Sequence, residues 1–255
     1  MVNQHTDSSF DRLVAEAMSE SFTGWDFSYL NKRWQQHPLP WSYLDQVSRF
    51  LPNSQRMLDM GTGGGELLSS ISPLPPDCWA TEAYAPNITI AQARLEPLGI
   101  NVVAVEDDAH LPLPDTYFDL VINRHAKFYA NEVIRIMVPN GRFITQQVGE
   151  LNAIDLNDFL CERPVPRKHS YYQQALHYLK AAGLMIVESH EVCVELDFFD
   201  IGAVIFYLRA IPWQVRDFTI DRYRSSLFAL HNMIISQGKF TTRAHHYYIE
   251  AVKGS

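Results

Sequence analysis

The sequence predicts an α/β protein whose core is a doubly wound parallel sheet. Three observations carry that expectation. Short apolar runs of strand length alternate with helical stretches from residue 53 to about residue 150. The first run ends in a glycine-rich turn, Asp59-Met60-Gly61-Thr62-Gly63-Gly64-Gly65. Of the 255 residues, 47% are hydrophobic, enough for one large domain or one domain with a modest cap.

Residues 1–52 read as a helical, aromatic cap. Phe10 to Met18 has helical spacing, with Ser8 or Ser9 as its N-cap. Phe22, Trp25, Phe27, Tyr29, Trp34 and Trp41 follow in quick succession, Pro38 and Pro40 break the chain, and Ser42 to Phe50 forms a short helix ending near Pro52. Residues 53–255 read as the core. Arg56 to Met60 is the first strand, and Glu66 to Ser70 begins a helix after the glycine turn. Trp79 to Tyr84 is the second strand; Pro86 suits the first turn of a helix running to about Leu98, and Gly99 its stop. Val102 to Val105 and Phe118 to Asn123 are the next strands. Asn131 to Met137 is helical, Pro139-Asn140-Gly141 is a turn, and Arg142 to Val148 is the fifth strand. Ile154 to Leu160 and Tyr171 to Ala182 are helical, the second stopped by Gly183. Leu184 to Val194 is a sixth strand region and Ala244 to Lys253 the last strand. Between them lies a helical, aromatic insertion at about residues 197–238.

Composition narrows the function classes. A formal charge of −8 makes the chain a poor general binder of nucleic acid, whose phosphates are held mainly by Lys and Arg. Arg163, Arg167 and Lys168 cluster, but Pro164 and Pro166 mark that stretch as a loop. The three cysteines, Cys78, Cys161 and Cys193, are far apart and form no C-x-x-C pair, which fits a reducing cytoplasm. Met1 to Phe10 has no apolar signal core, and no apolar run approaches the roughly 20 residues of a membrane span. No metal site is expected. His245 and His246 are neighbours on a strand and point to opposite faces, and His169 and His177 lack partners at ligand spacing.

The glycine turn is the strongest signal. Glycines there permit positive φ and let a ligand approach the backbone, and the following helix offers free N–H groups. A dinucleotide fingerprint counted from Gly61 would need glycine where Glu66 stands, and a P-loop would need Lys and Ser or Thr where Glu66 and Leu67 stand. Asp59 to Gly65 instead resembles the D-x-G-x-G-x-G motif of class I S-adenosylmethionine-dependent methyltransferases.

Three later segments extend the resemblance in order: Ala80-Thr81-Glu82, Glu106 to Pro114 with Phe118-Asp119-Leu120-Val121, and Glu132 to Phe143 with Asn140 in place of a glycine. It covers residues 53–150 well and continues loosely to Lys253. The resemblance implies a Rossmann-like, seven-stranded sheet, mostly parallel with an antiparallel last strand. It implies S-adenosylmethionine as cofactor and S-adenosylhomocysteine as product. It places the cofactor against Asp59, Gly61, Thr62, Gly63, Gly65, Glu82, Ala83 and Asn123. Glu82 would accept from the ribose hydroxyls, an acid and the next residue's backbone would meet the adenine. Counting back from Pro112 puts that acid at Asp107, while matching the Asp-Ala pair puts it at Asp108 before Ala109; both stay open.

The remaining candidates concern the acceptor. His125 follows the fourth strand, where a histidine can take a proton as the methyl group moves; the plain alternative is a loop histidine. Arg124 precedes it. Either Gln146 or Gln147 faces the pocket, with Gln147 the preferred substrate contact. Trp25, Tyr29 and Trp34 form a lid or simply fill a core. The insertion contributes Tyr207 and Arg209. The expected acceptor is a small molecule; an RNA or protein acceptor, or a non-catalytic adenosyl-binding protein, are the alternatives.

Overall fold

The computed structural model describes residues 4–23, 25–161 and 169–255; the Arg163-to-Lys168 stretch lies outside them. Among these residues eight strands form one sheet: β1 (Trp34–Gln36), β2 (Arg56–Met60), β3 (Asp77–Glu82), β4 (Asn101–Ala104), β5 (Phe118–Arg124), β6 (Met137–Val148), β7 (Leu184–Phe198) and β8 (Phe240–Lys253). Their spatial order is β1-β7-β8-β6-β5-β2-β3-β4. Pairings among β2 to β6 are parallel, and β8 runs antiparallel between β6 and β7. The last strand is therefore antiparallel, as the resemblance implies. The sheet has eight strands rather than seven because β1 adds an antiparallel edge, pairing Trp34 with Phe198 and Gln36 with Leu196.

Local chemistry explains the element ends. The helix α2 (Tyr43–Ser48) starts where the Ser42 side chain accepts from Asp45 N. After β2 comes α3 (Glu66–Ser69), and after β3 comes α4 (Ala85–Leu95), which tightens into a 3₁₀ turn and stops at left-handed Gly99. α5 (Ala130–Ile136) leads directly into β6. Pro139-Asn140-Gly141 is bulged out inside β6 rather than standing before it: Met137 pairs with Phe118, and pairing resumes at Arg142 with Leu120. Asn140 there takes φ +63°. α6 (Ile154–Leu160) and α7 (Tyr171–Ala181) precede β7, and α8 (Ile201–Ala210) and α9 (Ile220–Gln237) fill the late insertion. The first helix, α1 (Gln4–Ser19), begins upstream of Ser8 and Ser9, so neither caps it.

Three apolar clusters hold these layers. One packs Leu58, Val121, Val133, Phe143 and Leu179 on one face of the sheet with α5 and α7. A second packs Met57, Leu95, Leu120, Ile144 and Tyr248 on the other face with α2, α3 and α4. The third joins the two ends of the chain: Phe10, Ala17 and Leu30 pack with Phe206, Leu227 and Ile234 of the insertion. The N-terminal segment and the insertion thus form one unit beside the strand ends. Among the described residues, no helix is long and apolar enough to cross a membrane.

Candidate functional site

The strand order reverses direction between β2 and β5, and ligands of open α/β sheets bind outside the carboxyl ends at such a point. A cleft of about 970 Å³ lies there, at the upper end of the ~300–1,000 Å³ usual for small-molecule sites. Its floor is the glycine turn, and its walls include Glu82, Asp108, Arg124 and His125. Phe22, Trp25, Arg209 and Trp213 bring the N-terminal segment and the insertion to the same cleft.

The turn has its shape because three glycines accept left-handed backbone, at φ +70° for Gly61, +64° for Gly63 and +80° for Gly65. At Gly61 even a methyl group is excluded, since a Cβ would stand 2.2 Å from the Ala126 Cβ. The turn is tied to the end of β3 by Thr62 N donating to Thr81 O at 2.9 Å and Gly63 N donating to Glu82 Oε2 at 2.7 Å. The other Glu82 oxygen accepts from Ala83 N at 2.9 Å and Tyr84 N at 2.8 Å. Glu82 is thereby oriented by three backbone donors and keeps a lone pair on Oε2. Arg94 reaches across from α4 to Gly64 O and Glu66.

Asp59 is the penultimate residue of β2 and is 3% exposed. Burial pushes its carboxyl up to about 6, and the charge of Glu82 acts in the same sense. Asn87, on the first turn of α4, also lines the cleft, and its buried Oδ1 has no hydrogen-bond partner.

His125 lies in the left-handed region at φ +59°, a conformation that costs a non-glycine residue about 1–3 kcal/mol and concentrates at functional sites. Its backbone N donates to Gln146 O at 2.9 Å, and its ring packs 5.6 Å from the ring of His246. Burial, with the Arg124 and His246 charges beside it, holds the imidazole well below its ordinary value, so it is neutral near pH 7.

The structure gathers most of the sequence-predicted residues here: Asp59, Gly61, Thr62, Gly63, Glu82, Ala83, Asp108, Arg124, His125, Trp25 and Arg209 line the cleft. Others are elsewhere. Gly65 packs beneath the turn against Leu95. Asp107 is exposed and accepts from its own loop, from Ala109 N at 2.9 Å and His110 Nδ1 at 2.8 Å. Asn123 is wholly buried and holds β2, β5 and β6 together: its Nδ2 donates to Met60 O at 3.0 Å, and its Oδ1 accepts from Thr145 and Gln147. Gln147 also donates to Ala126 O at 2.9 Å, bracing the segment against which Gly61 packs. Tyr29 bonds Glu16 at 3.1 Å and Trp34 stacks on Phe27, both inside the N-terminal segment, and Tyr207 of the insertion accepts from Asn152 Nδ2, between β6 and α6, at 3.0 Å.

Sequence reasoning passed over the partners of Trp213, His245 and Asp119. Trp213 is 69% exposed and stacks within 9° of parallel on Trp25; its position after a helix-ending proline gave no signal of the pairing. His245 faces Glu191 at 3.1 Å with Glu150 nearby, but Leu151 N occupies its Nδ1. Asp119 of the Phe-Asp-Leu-Val stretch pins the start of β2 by accepting from Gln55 N at 2.9 Å and Arg56 N at 3.0 Å.

Comparison with known proteins agrees with this geometry. Residues 58–145 match the model of the methyltransferase domain family. YcgJ, an uncharacterized methyltransferase of Bacillus subtilis (strain 168), is 28% identical over 98 residues, spanning 35% of this chain and 39% of that one. The solved structure of YcgJ superposes with a TM-score of 0.57 and 17% identity, over 84% of this chain and 98% of that one. A putative methyltransferase from Bacillus halodurans C-125 gives a TM-score of 0.58 and 16% identity over 83% and 99% of the two chains. The [4+2]-cyclase SpnF gives 0.51 and 16% over 98% and 95%. At these identities the superpositions show a shared fold. Residues 58–145 thus match a methyltransferase domain, and the chain carries the Rossmann-like α/β fold of these structures.

Proposed function

We propose that this chain transfers the methyl group of S-adenosylmethionine to a small, partly apolar molecule. The carrying observation is the Glu82 carboxylate, which backbone donors of the turn and of its own strand end orient at the cleft floor. A fixed acid there accepts from the two ribose hydroxyls of an adenosyl group. The backbone of Gly61 to Gly63 and Ala83 would line the same ligand. Of the two acids after β4, Asp108 is the one for the adenine end, because it lines the cleft while Asp107 is spent on Ala109 and His110. A cationic ligand favours the charged form of Asp59, offsetting part of its burial.

When bound, S-adenosylmethionine supplies a methyl group already activated on a sulfonium. What remains for the chain is to hold the acceptor in line and keep water away. Phe22, Trp25 and Trp213 give the cleft an apolar wall suited to a small acceptor, and Arg124, Lys127 and Arg209 place cations at its rim. The fold is shared with a [4+2]-cyclase, so the methyl-transfer reading rests on the cleft and on the matched domain rather than on the superpositions.

The test is incubation of the protein with methyl-labelled S-adenosylmethionine and a cell extract, followed by fractionation. Label in the small-molecule fraction is expected. Label confined to RNA or protein would overturn the acceptor class, and failure of the folded protein to bind S-adenosylhomocysteine would overturn the donor.

A further inference from the structure

Trp41, Gln146 and His125 form a chain of hydrogen bonds that ends in the cleft wall. Trp41 Nε1 donates to Gln146 Oε1 at 2.9 Å, and Gln146 Nε2 lies 3.4 Å from His125 Nε2. The middle member is 3% exposed. An indole N–H only donates, so it determines which end of the amide is oxygen. The other end is an NH₂ group, which also only donates. His125 Nε2 must then be the acceptor and carries no proton. The ring is neutral, so its one proton sits on Nδ1.

We propose that Trp41 and Gln146 are positioning residues that lock His125 as the Nδ1–H tautomer, so that the cleft meets its acceptor molecule with a hydrogen-bond donor. The group it takes bears a lone pair: a carboxylate, carbonyl or ether oxygen. The one lone pair on the ring is already engaged by Gln146, so His125 does not receive the proton shed by a methylated hydroxyl or amine; that proton leaves to solvent. The substrate half of the inference rests on the proposed function, whereas the tautomer does not. The charged groups that act on the ring are Arg124 on β5 and His246 on β8; Asp59, Glu66, Glu82, Asp108, Lys127 and Arg209 line the same cleft.

Imidazole ¹⁵N NMR of the full chain tests it. Wild-type His125 is expected to show a protonated Nδ1 and a bare Nε2, unchanged between about pH 8 and 6. In Gln146→Glu, both oxygens accept, so the proton moves to Nε2 and His125 titrates about one pH unit higher or more. Trp41→Phe removes the donor that sets the amide, and both tautomers are expected to appear. A proton on Nε2 in the wild type, which needs no variant to fold, overturns the inference; so does an unchanged tautomer in both variants. With S-adenosylhomocysteine present, benzoate is expected to shift the His125 Nδ1–H signal and benzylamine is not. No shift with benzoate, or a shift with benzylamine, overturns the donor role. If S-adenosylhomocysteine itself does not bind, the methyl-donor reading fails while the tautomer result stands.

Discussion

Gly61 and Gly99 allow the strain of a left-handed residue to be separated from the packing of the turn. Both hold positive φ, +70° and +80°. A Cβ at Gly61 meets Ala126 Cβ at 2.2 Å, whereas at Gly99 nothing lies within 4 Å. Alanine at either site pays the left-handed cost of about 1–2 kcal/mol. At Gly61 overpacking adds about 1–3 kcal/mol, because Gln147 holds Ala126 O at 2.9 Å and keeps the segment from retreating. Gly61→Ala is therefore expected to lose about 2–5 kcal/mol and Gly99→Ala about 1–2 kcal/mol. Gly63→Ala, whose Cβ would sit 3.7 Å from that of Trp25, should behave like Gly99→Ala. Urea unfolding measures all three on a common scale. If Gly61→Ala is within about 0.5 kcal/mol of Gly99→Ala, the Ala126 contact does not shape the turn and the reasoning is wrong.

Asp59→Asn tests the buried carboxyl. Its folded pKa of about 6 lies above the ordinary value, so the stability carried by its proton is full below about pH 4 and is lost as pH rises through 6. The variant should gain on the wild type by about 2–3 kcal/mol between pH 4 and 7; a gap that stays constant in unfolding curves across that window would refute this. Asp108→Asn should weaken S-adenosylhomocysteine binding about tenfold by calorimetry, while Asp107→Asn leaves it within twofold; the reverse order would reassign the adenine contact. Arg135→Met should cost about 2–4 kcal/mol in thermal or urea unfolding, because it strands Glu132, 8% exposed, and frees the carbonyls of Leu111 and Leu113.

Much of this architecture is written in local pattern. Arg56–Met60 and Ile154–Leu160 begin and end where the apolar runs and their flanking breakers do. The left-handed stops at Gly99, Gly183 and Gly238 follow from glycine's freedom alone. β1 escaped because three residues have no period; it is a strand only by its register with β7. β7 and β8 extend beyond their expected ends because each supplies the other's hydrogen bonds out to Phe198 and Phe240. At the cleft, the glycines and Glu82 were legible because backbone conformation and strand-end position demand them. The choice between Asp107 and Asp108 was not, since it turns on which way a loop points. Asn123 and Gln147 were read as ligand contacts because their chemistry suits one, yet burial directs that chemistry at Met60, Thr145 and Ala126. Trp213 pairs with Trp25 across nearly 190 residues, a contact no window on the sequence contains.

The central claim is that the cleft between β2 and β5 holds an adenosyl methyl donor by way of Glu82. Isothermal titration of S-adenosylhomocysteine into wild type and Glu82→Gln measures it directly. The wild type should bind one equivalent. The variant, folded but with an NH₂ facing donors that now meet one oxygen, should bind at least about a hundredfold more weakly, equivalent to about 3 kcal/mol. Equal affinities in the two proteins, or no binding by the folded wild type, would contradict it.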